Sequence, residues 1–427
     1  MKHGFVKVAA LTPKVRVADT LYNAKQITEK IEEATNKGAK ILVFPELCLT
    51  GYTCNDLFLQ ETLLEGAMEA LLSVADATEG SDALVFVGLP LVFRQKLYNV
   101  AAAIQNGEIL AFIPKSYIPS YGEFYETRHF APGFEKPEEY ILEDRRIPFG
   151  TNILFEADAV SGLTVGCEIC EDFWVPQSPG IAHALAGATV LVNLSASNET
   201  IGKDAYRELL VKAASARLIA AYIYCSAGEG ESTQDLVFGG HNLIAENGVI
   251  LEQAKRFEPV DVYADIDVHR ICHERRRMST YGAKRPEDYL VIPVAIETEK
   301  TELCRNFGPQ PFVPADSAER EERCEEILSI QSYGLKKRLE HTGCRNAVLG
   351  ISGGLDSTLA LLVTVRAFDM LQIPRNQIRA VTMPCFGTTD RTYDNACKLA
   401  HTLGATLEEI DIKEAVTVHF RDIGQDM

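Results

Sequence analysis

With 427 residues, the chain is long enough for two or more domains with separate cores. Its net charge of −18 and pI near 5.0 exclude a general nucleic-acid surface, which needs a basic stripe; the densest basic cluster, Arg275-Arg276-Arg277, reads as a solvated turn or a subunit contact. Eleven cysteines, set mostly in apolar segments with no apolar leader before them, predict free thiols in a reducing cytoplasm, and no stretch reaches the roughly 18 apolar residues of a membrane span.

The first part alternates strands and helices. A strand is predicted over Val6 to Leu11, an amphipathic helix from Asp19 to Lys37 stopped by Gly38, a strand over Ile41 to Phe44, a helix to about Ala77, and a strand over Leu84 to Leu89. Hairpins follow at Ala101 to Ile113 and Gly239 to Gln253, turning at Asn106-Gly107 and Asn247-Gly248, dipeptides that tolerate positive φ at both central turn positions. Between them lie strands Leu163 to Ile169, Val190 to Leu194 and Tyr222 to Cys225, with helices over Ile181 to Ala186 and Asp204 to Ala220. Crossovers mixed with hairpins predict an α/β sandwich rather than a purely parallel sheet.

Periodicity fades after Asp267, so residues 276–316 read as connecting polypeptide between a domain over 1–275 and a second over 317–427. A helical run from Ala318 to His341 then feeds a strand, Asn346 to Leu349, a helix over Thr358 to Phe368 and a strand over Ile378 to Met383, which is a βαβ unit.

Three polar residues sit where apolar strands end, the position at which sites gather in α/β proteins: Glu46, Lys115 and Cys170. Singly, the first two read as solvated residues and the third as a small hydrophobe. Together, a carboxylate, an ammonium and a thiol divide the labour of acyl transfer into general base, oxyanion stabiliser and nucleophile. Cys167-x-x-Cys170 could also be a redox pair or half a zinc site, but no second Cys-x-x-Cys appears, and Cys48 and Cys54 read as packing.

In the second domain, Gly350-Ile351-Ser352-Gly353-Gly354-Leu355-Asp356-Ser357 joins strand to helix. Glycines let the backbone approach an anion, and the free N–H groups of a helix start point toward it. The loop lacks the Gly-Lys-Ser/Thr ending of a phosphate loop that serves γ-phosphate transfer. The competing reading is an ordinary Gly-rich strand-to-helix turn.

Phe44-Pro-Glu-Leu-Cys-Leu-Thr-Gly-Tyr52, Lys115 followed by Tyr121-Gly-Glu-Phe-Tyr-Glu, and Cys170-Glu-Asp-Phe-Trp resemble the nitrilase superfamily of carbon–nitrogen hydrolases over residues 5 to 270. That resemblance implies an αββα sandwich with Glu46, Lys115 and Cys170 as catalytic triad, Glu123 as an auxiliary carboxylate near the lysine, and the N–H after Cys170 in the oxyanion hole. The glycine loop looks like the pyrophosphate loop of adenylating enzymes, with Gly350 to Ser357 on ATP and Asp356 on Mg²⁺.

The pairing resembles the glutamine-dependent NAD⁺ synthetase family, and Met383-Pro-Cys-Phe-Gly-Thr-Thr-Asp-Arg-Thr392 looks like its segment beside the adenine and ribose. It implies a Rossmann-like synthetase domain after the sandwich, with glutamine, ATP and nicotinic acid adenine dinucleotide as small-molecule partners, Tyr121, Glu171, Ser197 and Lys203 contacting glutamine, and a homo-oligomer. Only the synthetase half requires cofactors, ATP and Mg²⁺. Because Met427 follows the glycine loop by about 70 residues, the resemblance also implies an incomplete synthetase domain. Two alternatives are a nitrilase-type glutaminase whose partial nucleotide domain is inactive and a non-enzymatic ATP-sensing module.

Overall fold

The computed structural model describes residues 2–425 apart from 234, 259, 283 and 298–301. The chain divides into one unit through Asn306 and another from Phe307 onward. The first contains strands β1 (Phe5–Ala10), β2 (Ile41–Val43), β3 (Leu84–Phe93), β4 (Lys96–Gln105), β5 (Glu108–Pro114), β6 (Glu138–Leu142), β7 (Arg145–Phe149) and β8 (Ile153–Ala157). After these come β9 (Thr164–Ile169), β10 (Val190–Ser195), β11 (Ala221–Ser226), β12 (Leu243–Glu246), β13 (Val249–Gln253), β14 (Val262–Asp267) and β15 (Leu290–Val294). Its helices are α1 (Thr20–Asn36), α2 (Glu61–Asp76), α3 (Pro179–Leu185), α4 (Lys203–Leu218) and α5 (Val268–Arg277).

These strands form an eight-stranded sheet in the order β14-β1-β2-β3-β4-β5-β7-β6 and a seven-stranded sheet in the order β13-β12-β11-β10-β9-β8-β15. Val6, Val8, Ile41, Val43 and Phe86 from one sheet share a core with Phe155, Val165, Val192 and Ile223 from the other, so the sheets pack face to face. The opposite face of the first sheet buries Ile27 and Ile31 of α1 and Leu71 and Val74 of α2; that of the second buries Ala184 of α3 and Val211 and Leu218 of α4. Residues buried on both faces explain why β2, β9 and β10 read as short continuous apolar runs. The layering is αββα, as the resemblance implies.

Two expectations are corrected. The segment 276–316 is not simply connecting polypeptide: β15 extends the second sheet by parallel pairing with β8, and Cys304 and Arg305 donate main-chain N–H groups to Asp265 at 2.6 and 3.3 Å. Residues 283 and 298–301 of that segment lie outside the described residues. The three arginines are neither a turn nor uniformly solvated. They close α5, and Arg275 donates at 2.7 to 3.1 Å to the carbonyls of Leu218 and Ile219, which α4 leaves open at its C-terminus, and to that of Ala188 just before β10.

The second unit contains α6 (Ser317–Thr342), β16 (Ala347–Gly350), α7 (Leu355–Met370), β17 (Ile378–Thr382), α8 (Asp390–Leu403), β18 (Thr406–Glu409) and α9 (Lys413–Ile423). Its strands are parallel in the order β16-β17-β18, which makes two successive βαβ crossovers. Leu361, Val365 and Phe368 of α7, Ile378 and Ala380 of β17, and Ala396 and Ala400 of α8 form a core of its own.

Candidate active site

Glu46, Lys115 and Cys170 converge at the C-terminal ends of β2, β5 and β9. The approach of β3 to the segment after β2 requires a glycine, since a Cβ on Gly88 would lie 2.2 Å from the nitrogen of Leu47. Lys115 is fully buried, and its ammonium donates to Glu46 Oε1 at 2.6 Å and to Glu126 Oε1 and Oε2 at 2.7 and 2.8 Å. Glu46 Oε1 also accepts from Asn99 Nδ2 at 2.7 Å, and its Oε2 from the N–H of Ala196 at 2.9 Å. Each charge buried here is therefore both paired and hydrogen-bonded, the condition for holding it out of water.

Electrostatics separates the members of this set. Burial pulls the Lys115 ammonium down, but the carboxylates of Glu126 and Glu46 outweigh it and leave the lysine well above its ordinary range. Burial raises Glu126 from 4.5 to about 7 against the pull of Lys115. Cys170 is raised from 9.0, first by burial and then by the Glu46 charge, with Lys115 and the Ala196 N–H opposing. The resting sulfur is a thiol, not a thiolate. Cys170 opens the 3-10 turn Cys170–Phe173 with φ of +43°, a left-handed conformation that costs a non-glycine residue about 1 kcal/mol.

Glu123 does not occupy the position beside the lysine. It accepts instead from Asn198 Nδ2 at 2.5 Å, and the carboxylate on Lys115 is that of Glu126, which also accepts from Tyr52 at 2.8 Å. The physical reason is the path after β5: the chain turns through Gly122 at φ +58° and then through the 3-10 turn Glu126–Arg128, which brings the later glutamate back under the strand end. Both acids lie in the run Gly122-Glu-Phe-Tyr-Glu126, and only closure of that turn distinguishes them.

Cys170 lines a cavity of about 550 Å³ together with Tyr121, Glu171, Ser197 and Lys203. Tyr121 donates to Glu171 Oε1 at 2.8 Å; burial raises both groups, the tyrosine to about 12. Lys203 donates to Asn198 Oδ1 and lies 5.4 and 5.5 Å from the ring centres of Trp174 and Phe124, while burial lowers its pKa. Ser197 Oγ accepts from the buried guanidinium of Arg207 at 3.1 Å. One cavity thus carries a carboxylate and an ammonium beside the thiol.

In the second unit, the loop after β16 turns through Gly353 at φ +74°, where an added Cβ would lie 2.1 Å from the carbonyl oxygen of Thr392. Helix α7 begins at Leu355, three residues earlier than the periodicity predicts, so Asp356 sits exposed in its first turn. Ser352 N–H donates to Ser357 Oγ at 3.2 Å, and Ser357 Oγ to the carbonyl of Gly354 at 3.1 Å. Among the described residues there is no cluster of three or more His, Cys, Asp or Glu side chains suited to a metal ion, which leaves the zinc reading of Cys167 and Cys170 without a ligand set. All eleven cysteines are free, and no described helix is long and apolar enough to cross a membrane.

The fold and this site define a class: a two-sheet αββα protein whose strand ends bring an acid–base pair beside a cysteine. Residues 7–275 match the carbon–nitrogen hydrolase family, and the chain belongs to that family. Residues 327–427 match the NAD synthase family model. A glutamine-dependent NAD(+) synthetase from Mycobacterium leprae (strain TN) is 42% identical over 431 residues, covering 99% of this chain and 63% of the relative, so the chain spans less than two thirds of that protein's length. Among solved structures, a glutamine-dependent NAD(+) synthetase from Cytophaga hutchinsonii has a TM-score of 0.56 at 24% identity, covering 99% of this chain and 68% of that one. A mutant amidase of the nitrilase superfamily from Nesterenkonia AN1 has a TM-score of 0.51 at 19% identity, covering 65% and 96%. These two structural likenesses bear on the fold alone.

Proposed function

We propose that the chain hydrolyses glutamine at Cys170 and uses the released ammonia in ATP-dependent amidation of nicotinic acid adenine dinucleotide to NAD⁺, with AMP and pyrophosphate as the other products. The observation that carries the first half is the cavity in which the thiol, a carboxylate at Glu171 and an ammonium at Lys203 meet. An amino acid presents one ammonium and one carboxylate, and opposed charges on the walls would orient its side-chain amide toward the sulfur. Glu171 with Tyr121 takes the ammonium; Lys203 and Ser197 take the carboxylate.

Because burial keeps Cys170 protonated, attack requires a base, and Glu46 receives the thiol proton as sulfur bonds to the amide carbon. Lys115 and the N–H of Glu171 balance the charge developing on the amide oxygen. The proton is then delivered to the amide nitrogen, the carbon–nitrogen bond breaks and ammonia leaves a thioester. Water, deprotonated by Glu46, cleaves the thioester to glutamate and the free thiol. Glu126 holds Lys115 together with Glu46.

The residues of the second unit suit the ATP pyrophosphate at Gly350 to Ser357. Asp356 alone cannot enclose Mg²⁺, but one carboxylate shared with phosphate oxygens is a common way to hold that ion, which neutralises phosphate charge when bound. Free thiols and the absence of a spanning helix among the described residues support a cytoplasmic setting.

The test is NAD⁺ formation with glutamine or with ammonium chloride as nitrogen source. Cys170→Ala is expected to abolish the first and spare the second. Loss of both to the same extent counts against the division, and glutamate release without any NAD⁺ formation leaves glutaminase as the activity.

A further inference from the structure

Asp172, two residues beyond Cys170, is 1% exposed and its carboxylate accepts from three main-chain groups. Oδ1 takes the N–H of Ser116 at 3.0 Å and of Tyr117 at 2.8 Å; Oδ2 takes that of Ile169 at 3.0 Å and lies 3.3 Å from that of Ser116. Ser116 and Tyr117 directly follow Lys115 and leave the eight-stranded sheet, whereas Ile169 ends β9 in the seven-stranded sheet. A single buried carboxylate therefore joins the two sheets between the backbone that carries the lysine and the backbone that carries the thiol. Cys170 lies inside this clamp, between Ile169 and Asp172, in its left-handed conformation.

We propose that Asp172 is a positioning residue that fixes the Cys170 sulfur against Lys115 and Glu46 for attack. This rests on Cys170 being the nucleophile. Three N–H donors converge on its two oxygens, so both oxygens must be able to accept; burial pushes this carboxyl up from 3.8 to about 8, and the N–H groups of Ile169 and Tyr117 pull against that rise. Asparagine has the same shape but turns an NH₂ toward at least one of those donors. The turn would then relax its left-handed residue, and a displacement near 1 Å at a reacting atom costs about 100-fold in rate.

Asp172→Asn is expected to lower kcat for glutamate release by about 10- to 100-fold with KM for glutamine within about threefold, since the cavity walls are untouched. Alkylation of Cys170 by iodoacetamide, followed on the Cys170 peptide because Cys304, Cys324 and Cys344 are exposed, should slow in the same proportion. Wild-type values of kcat and alkylation in Asp172→Asn overturn the proposal. The alkylation arm needs no glutamine, so it decides the matter even if the wild-type chain fails to release glutamate and the functional reading falls. If Asp172→Asn does not fold, amide hydrogen exchange of the wild-type chain is measured instead. Ser116 and Tyr117 should be as protected as Ile169, and exchange at the rate of open loops would overturn the clamp.

Discussion

At the scale of single residues, Glu126 gives the site a pH dependence. In the proposed mechanism Glu46 takes the proton leaving the Cys170 thiol, and Glu46 shares Lys115 with Glu126. When Glu126 is protonated, the pair already holds a proton, and Lys115 faces a single negative charge, so a second proton is harder to accept. Because burial raises Glu126 to about 7, kcat/KM for glutamine is expected to rise as pH passes through about 7. Glu126→Gln should remove that limb and lower kcat at least about tenfold; an unchanged pH profile in Glu126→Gln would refute the assignment. The residue itself was not legible in the sequence. Glu46, Lys115 and Cys170 are announced by apolar strands that stop at them, but Glu126 lies in a polar loop where nothing periodic separates it from Glu123. The clamp made by Asp172 was equally hidden, because its partners are main-chain groups far away in sequence.

At the scale of elements, what was readable depended on local signals. The two Asn-Gly hairpins form where predicted, with Asn106 and Asn247 at φ +48° and +46°. Helix α5 and strand β15 were missed because each is stabilised by remote partners: α5 docks Arg275 on the end of α4, and β15 pairs with β8 across more than a hundred residues. Helix α3 has only seven residues, too few to stand without tertiary support, and His183 supplies part of it. Its Nδ1 lies 3.0 Å from the Tyr289 hydroxyl and its Nε2 3.1 Å from the Cys167 carbonyl. Burial lowers its pKa from 6.5 to about 4. The unfolded chain therefore binds a proton more tightly than the folded one between those values. The resulting stability is complete above pH 6.5 and is lost as pH falls toward 4, a contribution of about 3 kcal/mol. Urea unfolding at pH 7 and pH 4.5 should show this loss in wild type, with a smaller pH dependence in His183→Gln; equal slopes would mean that other groups carry the acid lability.

At the scale of the whole molecule, separate stretches of chain build separate cores, so the two proposed activities are expected to be lost one at a time. The crossover from β16 through α7 to β17 was legible in the periodicity and the αββα layering was implied by the family resemblance, but the second crossover, through α8 to β18, was not read. The boundary was not, because the segment after Asp267 carries its contacts through side chains such as Arg305, which donates to Glu246 at 2.8 and 3.0 Å. Gly353 offers the sharpest probe of the second unit. At φ +74° a Cβ is strained by backbone conformation alone, and the Thr392 carbonyl oxygen 2.1 Å away belongs to the first turn of α8, so relief would require moving the loop off that helix. Gly353→Ala is expected to lose NAD⁺ formation from both glutamine and ammonium chloride while glutamate release continues, the converse of Cys170→Ala. Were Gly353→Ala to make NAD⁺ from ammonium chloride at the wild-type rate, the glycine loop could not be where the dinucleotide is activated, since no adjustment of side chains alone accommodates the added carbon.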